Sequence, residues 1–161
     1  MRVIDLAPTS ALDHPPATFA DRPFFADTVT LLRAVRDHDF GTLAALCDDD
    51  FGIVDADPTG AAVPIRSRLE WERWFHNLFA TLDQLNADTD SEIVRYDAVA
   101  AGDLGYSVVE FRQLLTAAGL TATFDCVATI VWKRTPDGWR EARWHVSVLS
   151  SDIPEQLLAA A

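Results

Sequence analysis

One strand-like run carries three side chains that could do acid–base chemistry together. Tyr106, Glu110 and Arg112 fall at alternate positions of a largely apolar stretch, so in a strand they point to the same face of the sheet. A buried carboxyl beside a cation can bind a ligand or move a proton next to a carbonyl group. A tyrosine hydroxyl can stabilise the oxyanion that forms. The spacing therefore predicts Glu110 and Tyr106 as catalytic residues and Arg112 as a ligand-binding residue.

The turn after this strand decides which way the three side chains point. A three-residue loop over 117–119 would set Arg112 opposite Phe124 and turn it toward the interior. A four-residue loop would instead turn Val109 and Phe111 inward. We expect the three-residue loop. The competing interpretation of the polar residues is a salt bridge near the sheet rim that only holds the strands together.

The last long hairpin turns at Pro136-Asp137-Gly138. Proline presets φ at the first turn position and glycine accepts the left-handed one, so the sequence predicts a three-residue loop that pairs Thr135 with Trp139. This register places even-numbered residues on the inner face and pairs Lys133 with Glu141 on the outer face. It brings together four apolar pairs: Trp132 with Ala142, Ile130 with Trp144, Ala128 with Val146, and Cys126 with Val148.

His145 is a third catalytic candidate, because histidine is the commonest general base near neutral pH. The predicted register places it on the outer face with Arg143 and Ser147. Two hypotheses follow for His145: an interface or strand-bridging role, and a catalytic role in a pocket. Cys126 shares its predicted face with no histidine, so we expect a small core residue and not a nucleophile.

A helix over about 68–82 begins at the capping box Ser67-Arg68-Leu69-Glu70. In this motif the serine accepts a hydrogen bond from the backbone and the glutamate reaches back. Apolar side chains at helical spacing form its buried stripe. Five aromatic side chains are expected to wall a flat apolar ligand: Trp71, Trp74 and Phe75 from this helix, and Trp132 and Trp144 from the sheet.

Composition narrows the class of partner. The chain has 161 residues and a formal net charge of −12, which argues against nucleic acid and anionic membranes. The two cysteines, Cys47 and Cys126, have no metal-like spacing and are interpreted as reduced thiols of a cytoplasmic protein. The adjacent acids Asp48, Asp49 and Asp50 point in different directions, which favours a solvated helix end over a metal site. We expect no signal peptide, no membrane-spanning segment and no metal.

The order of patterns predicts one domain over 21–150, an extended arm over 1–20 and a C-terminal tail over 151–161. Helices are expected over 22–38, from Asp39 onward and over 68–82, and four long antiparallel strands follow Asp90. This order predicts an α+β fold in which a curved antiparallel sheet wraps around the N-terminal helices and encloses a conical pocket.

Several short motifs carry a family resemblance. They are the helical start, Asp50-Phe51 opening the first strand, the segment 129–134 before Asp137-Gly138-Trp139, and the ending Arg143-Trp144-His145-Val146-Ser147. In this order, over about 24–150, the chain resembles the nuclear-transport-factor-2-like superfamily and in particular its SnoaL-like bacterial members. The ending is similar to the His-x-His-x-Ser ending of the calcium/calmodulin-dependent kinase association domain, with Arg143 in place of the first histidine.

The resemblance implies a cone-shaped, cystatin-like fold, usually a homodimer through the sheet, and no obligatory cofactor. Arg112 falls at a pocket arginine of the association domain, whereas two further pocket arginines fall on Ile130 and Val146. A multi-arginine carboxylate site is therefore not expected. The Asp and Tyr pattern of the ketosteroid isomerases has no clear counterpart, so that mechanism is not carried over.

Two functions are expected on this basis. The first is a cofactor-free isomerase, dehydratase or polyketide cyclase that acts on a small apolar molecule bearing a carbonyl group. The second is a non-catalytic module of the same fold that binds a ligand or assembles as a dimer. The fold alone does not choose between them, because one fold hosts unrelated functions.

Overall fold

The computed structural model describes residues 9–57 and 59–158. The helices are α1 (Phe25–Arg36), α2 (Phe40–Ala45), α3 (Arg68–Gln84) and α4 (Glu155–Leu158). The strands are β1 (Cys47–Ala56), β2 (Ala62–Ile65), β3 (Asp88–Ala101), β4 (Leu104–Ala117), β5 (Leu120–Thr135) and β6 (Gly138–Asp152). The strands form one open sheet in the order β2-β1-β6-β5-β4-β3. Among the strands of the described residues, only β1 and β6 pair in parallel.

Helices α1 and α3 cover one face of this sheet, and we call that face the inner face. Helix α1 packs on β3, and α3 packs on β1. Bulges interrupt the pairing of β3 with β4 and of β5 with β6, and bulges bend strands. The result is the predicted α+β fold, with a curved sheet around the N-terminal helices.

Local signals set the helix boundaries. The backbone N–H of Glu70 donates to Ser67 Oγ at 3.2 Å, as the capping box predicts. The Glu70 carboxylate reaches back to the N–H of Arg66 at 2.9 Å. Asp39 caps α2 by accepting a hydrogen bond from the N–H of Thr42 at 3.1 Å. None of the helices among the described residues is long and apolar enough to span a bilayer.

Residues 9–20, expected as an extended arm, contain two single-turn 3-10 helices that pack on the domain. Leu12 is buried there, and its carbonyl accepts two hydrogen bonds from the Arg33 guanidinium, at 2.7 and 3.0 Å. Ser10 donates to Asp90 at 2.7 Å. Residues 1–8 of the expected arm and 159–161 of the expected tail lie outside the described residues.

The β5–β6 loop has two residues, and the predicted three-residue loop is wrong. Thr135 pairs with Gly138, and Lys133 pairs with Arg140 rather than with Glu141. A bulge between Val131 and Trp132 then restores the predicted register, because one extra residue of β6 lies opposite this point. Ile130–Trp144, Ala128–Val146 and Cys126–Val148 therefore pair as predicted, whereas Trp132 faces Glu141 and not Ala142.

The β4–β5 loop also has two residues, Ala118 and Gly119, and here no bulge compensates. Ala117 pairs with Leu120, so Arg112 lies opposite Asp125 and not opposite Phe124. A shift of one residue exchanges the two faces of a strand. Val109 and Phe111 are therefore buried on the inner face, and the predicted inward orientation of Tyr106, Glu110 and Arg112 is wrong.

Candidate functional site

The three polar side chains of β4 lie on the outer face of the sheet. Glu110 Oε2 is 3.5 Å from Arg95 Nε, and Arg112 Nε is 3.1 Å from Asp125 Oδ1. Tyr106 is 43% exposed. These cross-strand ion pairs hold neighbouring strands together at the surface, as the competing salt-bridge interpretation expected. The structure does not bring the three side chains together in a pocket.

His145 also lies on the outer face, where the β5–β6 register predicted it. It is exposed, and it pairs with Thr129 on β5 and Val54 on β1. Its ring has no hydrogen bond to another described residue in the structure. His145 therefore does not belong to the inner face, so a catalytic role in an inner-face pocket does not fit its position, and an interface or strand-bridging role stays a prediction.

The five expected aromatic wall residues divide into two groups. Trp71, Phe75 and Trp132 are 1%, 4% and 0% exposed, so they are core residues. Trp132 stacks on Phe24 with ring centroids 5.1 Å apart, and its Nε1 donates to Ser107 Oγ at 3.0 Å. Trp74 and Trp144 are only half-buried and pack against the core from its margin.

Two acids that sequence reasoning did not select lie on the inner face. The first is Asp55, near the end of β1, which follows the buried Phe51 and Ile53 at alternate positions. One oxygen, Oδ1, accepts a hydrogen bond from the N–H of Ala56 at 2.7 Å. Burial raises the pKa of the Asp55 carboxyl to about 6, and the Ala56 N–H opposes this rise. This pKa lets Asp55 release and accept a proton close to neutral pH.

On the strand next to that of Asp55, Trp144 carries an indole N–H without a partner in the described part of the chain. Trp144 pairs with Ile53 across the β1–β6 ladder, which places it one inner-face position from Asp55. Its Nε1 is buried and has no hydrogen-bond partner among the described residues. A buried indole N–H without a partner costs free energy. An acceptor atom of a bound ligand can take the hydrogen bond that this indole N–H offers.

The inner face is less covered toward the β4–β5 turn. Ile130 and Ala128 on β5 are each 1% exposed and Cys126 is 7% exposed, whereas Phe124 and, on β6, Val148 are half-buried. Asp55 acts electrostatically on this region, since burial first and then the Asp55 charge raise the pKa of the Cys126 thiol to about 11. At neutral pH Cys126 is therefore a protonated thiol, in agreement with the expected core role.

The second inner acid, Glu141, lies near the opposite end of the sheet. Glu141 is 1% exposed, and its Oε2 accepts a hydrogen bond from Cys47 Sγ at 3.6 Å. Its Oε1 has no partner among the described residues. Burial raises the pKa of the Glu141 carboxyl to about 8, the Cys47 contact opposes the rise, and the Asp27 charge adds to it. Burial likewise raises the pKa of the Cys47 thiol.

The two acids differ in how visible they are in the sequence. Asp55 interrupts an alternating strand at an inner position after Phe51 and Ile53, and that alternation was a usable signal. Glu141 gave no such signal, because the bulge beside Trp132 turns it inward. Within the described ranges 9–57 and 59–158, no group of three His, Cys, Asp or Glu side chains is arranged to hold a metal ion.

Comparisons with solved structures identify the fold. An uncharacterised protein with a cystatin-like fold from Caulobacter vibrioides is 16% identical with a TM-score of 0.64, covering 83% of this chain and 90% of its own. A type 2 hexachlorocyclohexane dehydrochlorinase is 13% identical with a TM-score of 0.63, and the match covers 78% of this chain and 82% of the dehydrochlorinase chain. The CaMKII hub of S. rosetta is 18% identical with a TM-score of 0.62, and the match covers 88% of this chain and 99% of the hub chain. At these identities the likeness establishes the fold alone.

Sequence comparison identifies the family. No curated protein sequence matches the chain. The family model described as a SnoaL-like domain matches residues 28–151, which include all six strands except the last residue of β6. Asp55 and Glu141 on the inner face, and the half-buried Trp74 and Trp144, thus lie within the matched segment. The chain belongs to the SnoaL-like family of the nuclear-transport-factor-2-like superfamily.

Proposed function

We propose that this protein is a cofactor-free acid–base enzyme that acts on a small, largely apolar molecule bearing a carbonyl group, with Asp55 as its proton-transfer residue. One observation carries the proposal. The Asp55 carboxyl lies on the inner face with its pKa raised to about 6, and Trp144, whose buried Nε1 has no partner among the described residues, lies one inner-face position away on the neighbouring strand. The fold is shared with a dehydrochlorinase, whose name describes an elimination.

The reaction begins with proton transfer from carbon to carboxylate. Asp55 takes a proton from the carbon next to the substrate carbonyl, and the C–H electron pair moves into the carbonyl to give an enolate. Trp144 Nε1 donates a hydrogen bond to the enolate oxygen, which stabilises the charge that develops there. Where the substrate has a carbon–carbon double bond next to the deprotonated carbon, the enolate is a dienolate. Its electron pair returns from oxygen while the protonated Asp55 gives its proton to the far carbon of that double bond, which moves the double bond and completes an isomerisation. If a leaving group lies on the adjacent carbon, its departure with the electron pair completes an elimination.

Asp55 suits this role better than Glu141 because of access. A base must come within hydrogen-bond reach of the substrate proton. Glu141 is 1% exposed behind the packed hairpin, whereas Asp55 keeps partial exposure. Half-buried Trp74 and Phe124 supply apolar surface from α3 and β5. The outward Glu110, Arg112 and Tyr106 take no part in the proposed chemistry.

Hydrogen–deuterium exchange measures proton abstraction directly, whatever the final product is. Wild-type protein is incubated in D₂O with a panel of aryl and cyclic ketones, and deuterium incorporation next to the carbonyl is followed by ¹H NMR. We expect catalysed exchange whose kcat/KM rises with pH through about 6, since only the ionised Asp55 accepts a proton. Asp55→Asn should lower the rate about 100-fold or more. Trp144→Phe, which keeps an aromatic ring but removes the N–H, should lower it about tenfold or more.

Asp97 provides a matched control. Its Oδ1 accepts a hydrogen bond from the next residue's N–H, at 2.9 Å, as Asp55 Oδ1 does. Asp97, however, is exposed on β3, so Asp97→Asn should leave the exchange rate unchanged. Wild-type exchange rates in Asp55→Asn, or an equal loss in both Asn variants, would refute the assignment of Asp55.

A second candidate function is assembly as a homodimer through the outer face of β3 and β4. Four large apolar side chains are exposed there: Val94 at 56%, Val99 at 43%, Leu104 at 57% and Tyr106 at 43%. Val99 and Tyr106 pair directly across the two strands. Clustered exposed apolar surface marks interaction sites, and this fold is also that of a kinase hub.

Light scattering during size-exclusion chromatography tests this second proposal. We expect a dimer for the wild type and a monomer for Tyr106→Lys, because a charge in the contact would be desolvated without a partner. Glu110→Lys serves as a charge control on the same strand. A wild type that stays monomeric at about 100 micromolar, well above the Kd of a micromolar dimer, would contradict the assembly role.

A further inference from the structure

A groove on the outer face is lined by basic side chains, whereas the chain as a whole is acidic. It has a volume of about 580 Å³ and lies over β2, β1, β6 and β5, apart from the exposed apolar residues of β3 and β4. Arg66, Arg143 and His145 line it, and no aspartate or glutamate does. The whole chain carries a net charge of −12. The basic lining favours the binding of an anion in this groove, whereas the net negative charge of the chain disfavours anions elsewhere on its surface.

The basic side chains of the groove are not all paired with other groups of the protein. Arg143 is held by Asp50, since its Nη1 donates to the Asp50 carbonyl at 2.5 Å and its Nη2 lies 3.5 Å from Asp50 Oδ2. Arg66 and His145 make no side-chain hydrogen bond or ion pair to any other residue in the described part of the chain. Both are exposed. These two side chains are therefore available to an anionic group, while Arg143 fixes the shape of the rim.

The floor of the groove is apolar. The half-buried side chains of Val54 and Val131 form this floor together with Pro64, which pairs with Val54. Ile53 and Ile65 also border the groove, but their side chains are buried on the inner face. Thr129, which pairs with His145 across β5 and β6, adds an exposed hydroxyl beside the basic rim. An apolar floor with a few polar groups at one side is the usual arrangement of a small-molecule site, and the volume is within the usual range.

We propose that this outer groove binds a small organic anion with an apolar body, such as an alkyl or aryl carboxylate. The carboxylate lies between Arg66 and His145, and the apolar body lies on Val54, Pro64 and Val131. Trp144 also borders the groove, but its side chain, like that of Asp55, lies on the inner face. The groove is therefore separate from the proposed catalytic site and does not depend on it.

Titration with 4-phenylbutyrate, followed by ¹H–¹⁵N NMR at low ionic strength, tests the proposal. We expect saturable shifts of the amide signals of Gly52, Val54, Thr129 and Val131, which all line the groove. The neutral analogue 4-phenylbutyramide should bind at least about fivefold more weakly than the carboxylate. Added salt should weaken the binding of 4-phenylbutyrate but not that of the amide. Arg66→Gln should weaken 4-phenylbutyrate binding by about fivefold, the scale of an exposed charge pair.

Arg73→Gln is the matched control, because Arg73 is exposed on α3 and does not line the groove. It should bind 4-phenylbutyrate like the wild type. Equal binding of acid and amide, equal weakening by Arg66→Gln and Arg73→Gln, shifts that map elsewhere, or no saturation at millimolar probe would each overturn the proposal. So would a groove already occupied by a second copy of the chain, seen as a dimer that Arg66→Gln dissociates and the probe does not displace.

Discussion

The buried Glu141 makes the stability of this protein depend on pH in a defined direction. Its pKa is about 8 in the folded protein, against 4.5 in the absence of the fold. A carboxyl whose pKa is raised by folding binds its proton more tightly in the folded state, so stability falls as pH rises between these two values. The contribution is fully present below pH 4.5 and is lost as pH rises through about 8.

The size of this effect follows from the pKa difference. Each pKa unit corresponds to about 1.4 kcal/mol, so the full loss across the window is about 5 kcal/mol. Glu141→Gln keeps the shape of the side chain but has no proton to lose. We expect the stability of the wild type, relative to this variant, to fall by several kcal/mol between pH 4.5 and pH 8.5. At the acidic end the two proteins should differ by about 1 kcal/mol or less, since a neutral carboxyl and an amide are similar in size.

Urea unfolding at a series of pH values measures this difference, because titrations common to both proteins cancel when the two curves are subtracted. Glu155→Gln is the control, since Glu155 is an exposed carboxyl in α4 and should leave the curve parallel to the wild type. Parallel curves for the wild type and Glu141→Gln over the whole window would refute the assignment of a neutral, buried Glu141. Circular dichroism at pH 4.5 checks that the variant is folded.

Two further predictions concern the packing around Trp132. Ser107→Ala removes the acceptor of the Trp132 indole N–H and should destabilise the fold by about 1–3 kcal/mol. A double-mutant cycle with Trp132→Phe, measured by urea unfolding, should give a coupling free energy of about 1 kcal/mol. Strictly additive losses of stability would contradict the hydrogen bond. Gly105→Ala should cost about 1–3 kcal/mol, because a Cβ there would lie 2.5 Å from Phe24 Cζ and 2.7 Å from the Val99 carbonyl oxygen. Gly41→Ala, whose Cβ would meet only Asp39 Oδ1 at 3.6 Å, should not destabilise and serves as the control.

The helices and the class of fold were predictable because their signals are local. The capping box at Ser67 and the cap at Asp39 act within one turn, and both are present in the structure. The spacing of apolar residues in α3 predicted its buried face in the same way. Sheet register is different, since a change of one residue in a loop exchanges the two faces of a strand.

The two long hairpins show why register was only partly predictable. In both, the loop is one residue shorter than expected. In β5–β6 a bulge beside Trp132 cancels the error, so the pairs from Val131 to Cys126 agree with the prediction. In β4–β5 nothing cancels it, and Glu110 and Arg112 lie outside. The observed register also pairs Arg112 with Asp125 as an ion pair on the outer face, a charge pair that the predicted register did not contain.

Two carboxyls on one inner face have opposite consequences, and burial decides between them. Glu141 is enclosed, so its raised pKa keeps it neutral and its proton has no route to a ligand; its effect falls on stability. Asp55 keeps partial exposure, and a smaller rise of its pKa, to about 6, leaves it mostly ionised at neutral pH. A carboxyl must be partly desolvated to hold a proton near neutral pH and partly accessible to exchange it. Of the two, only Asp55 meets both conditions, which is why the proposed chemistry is placed there.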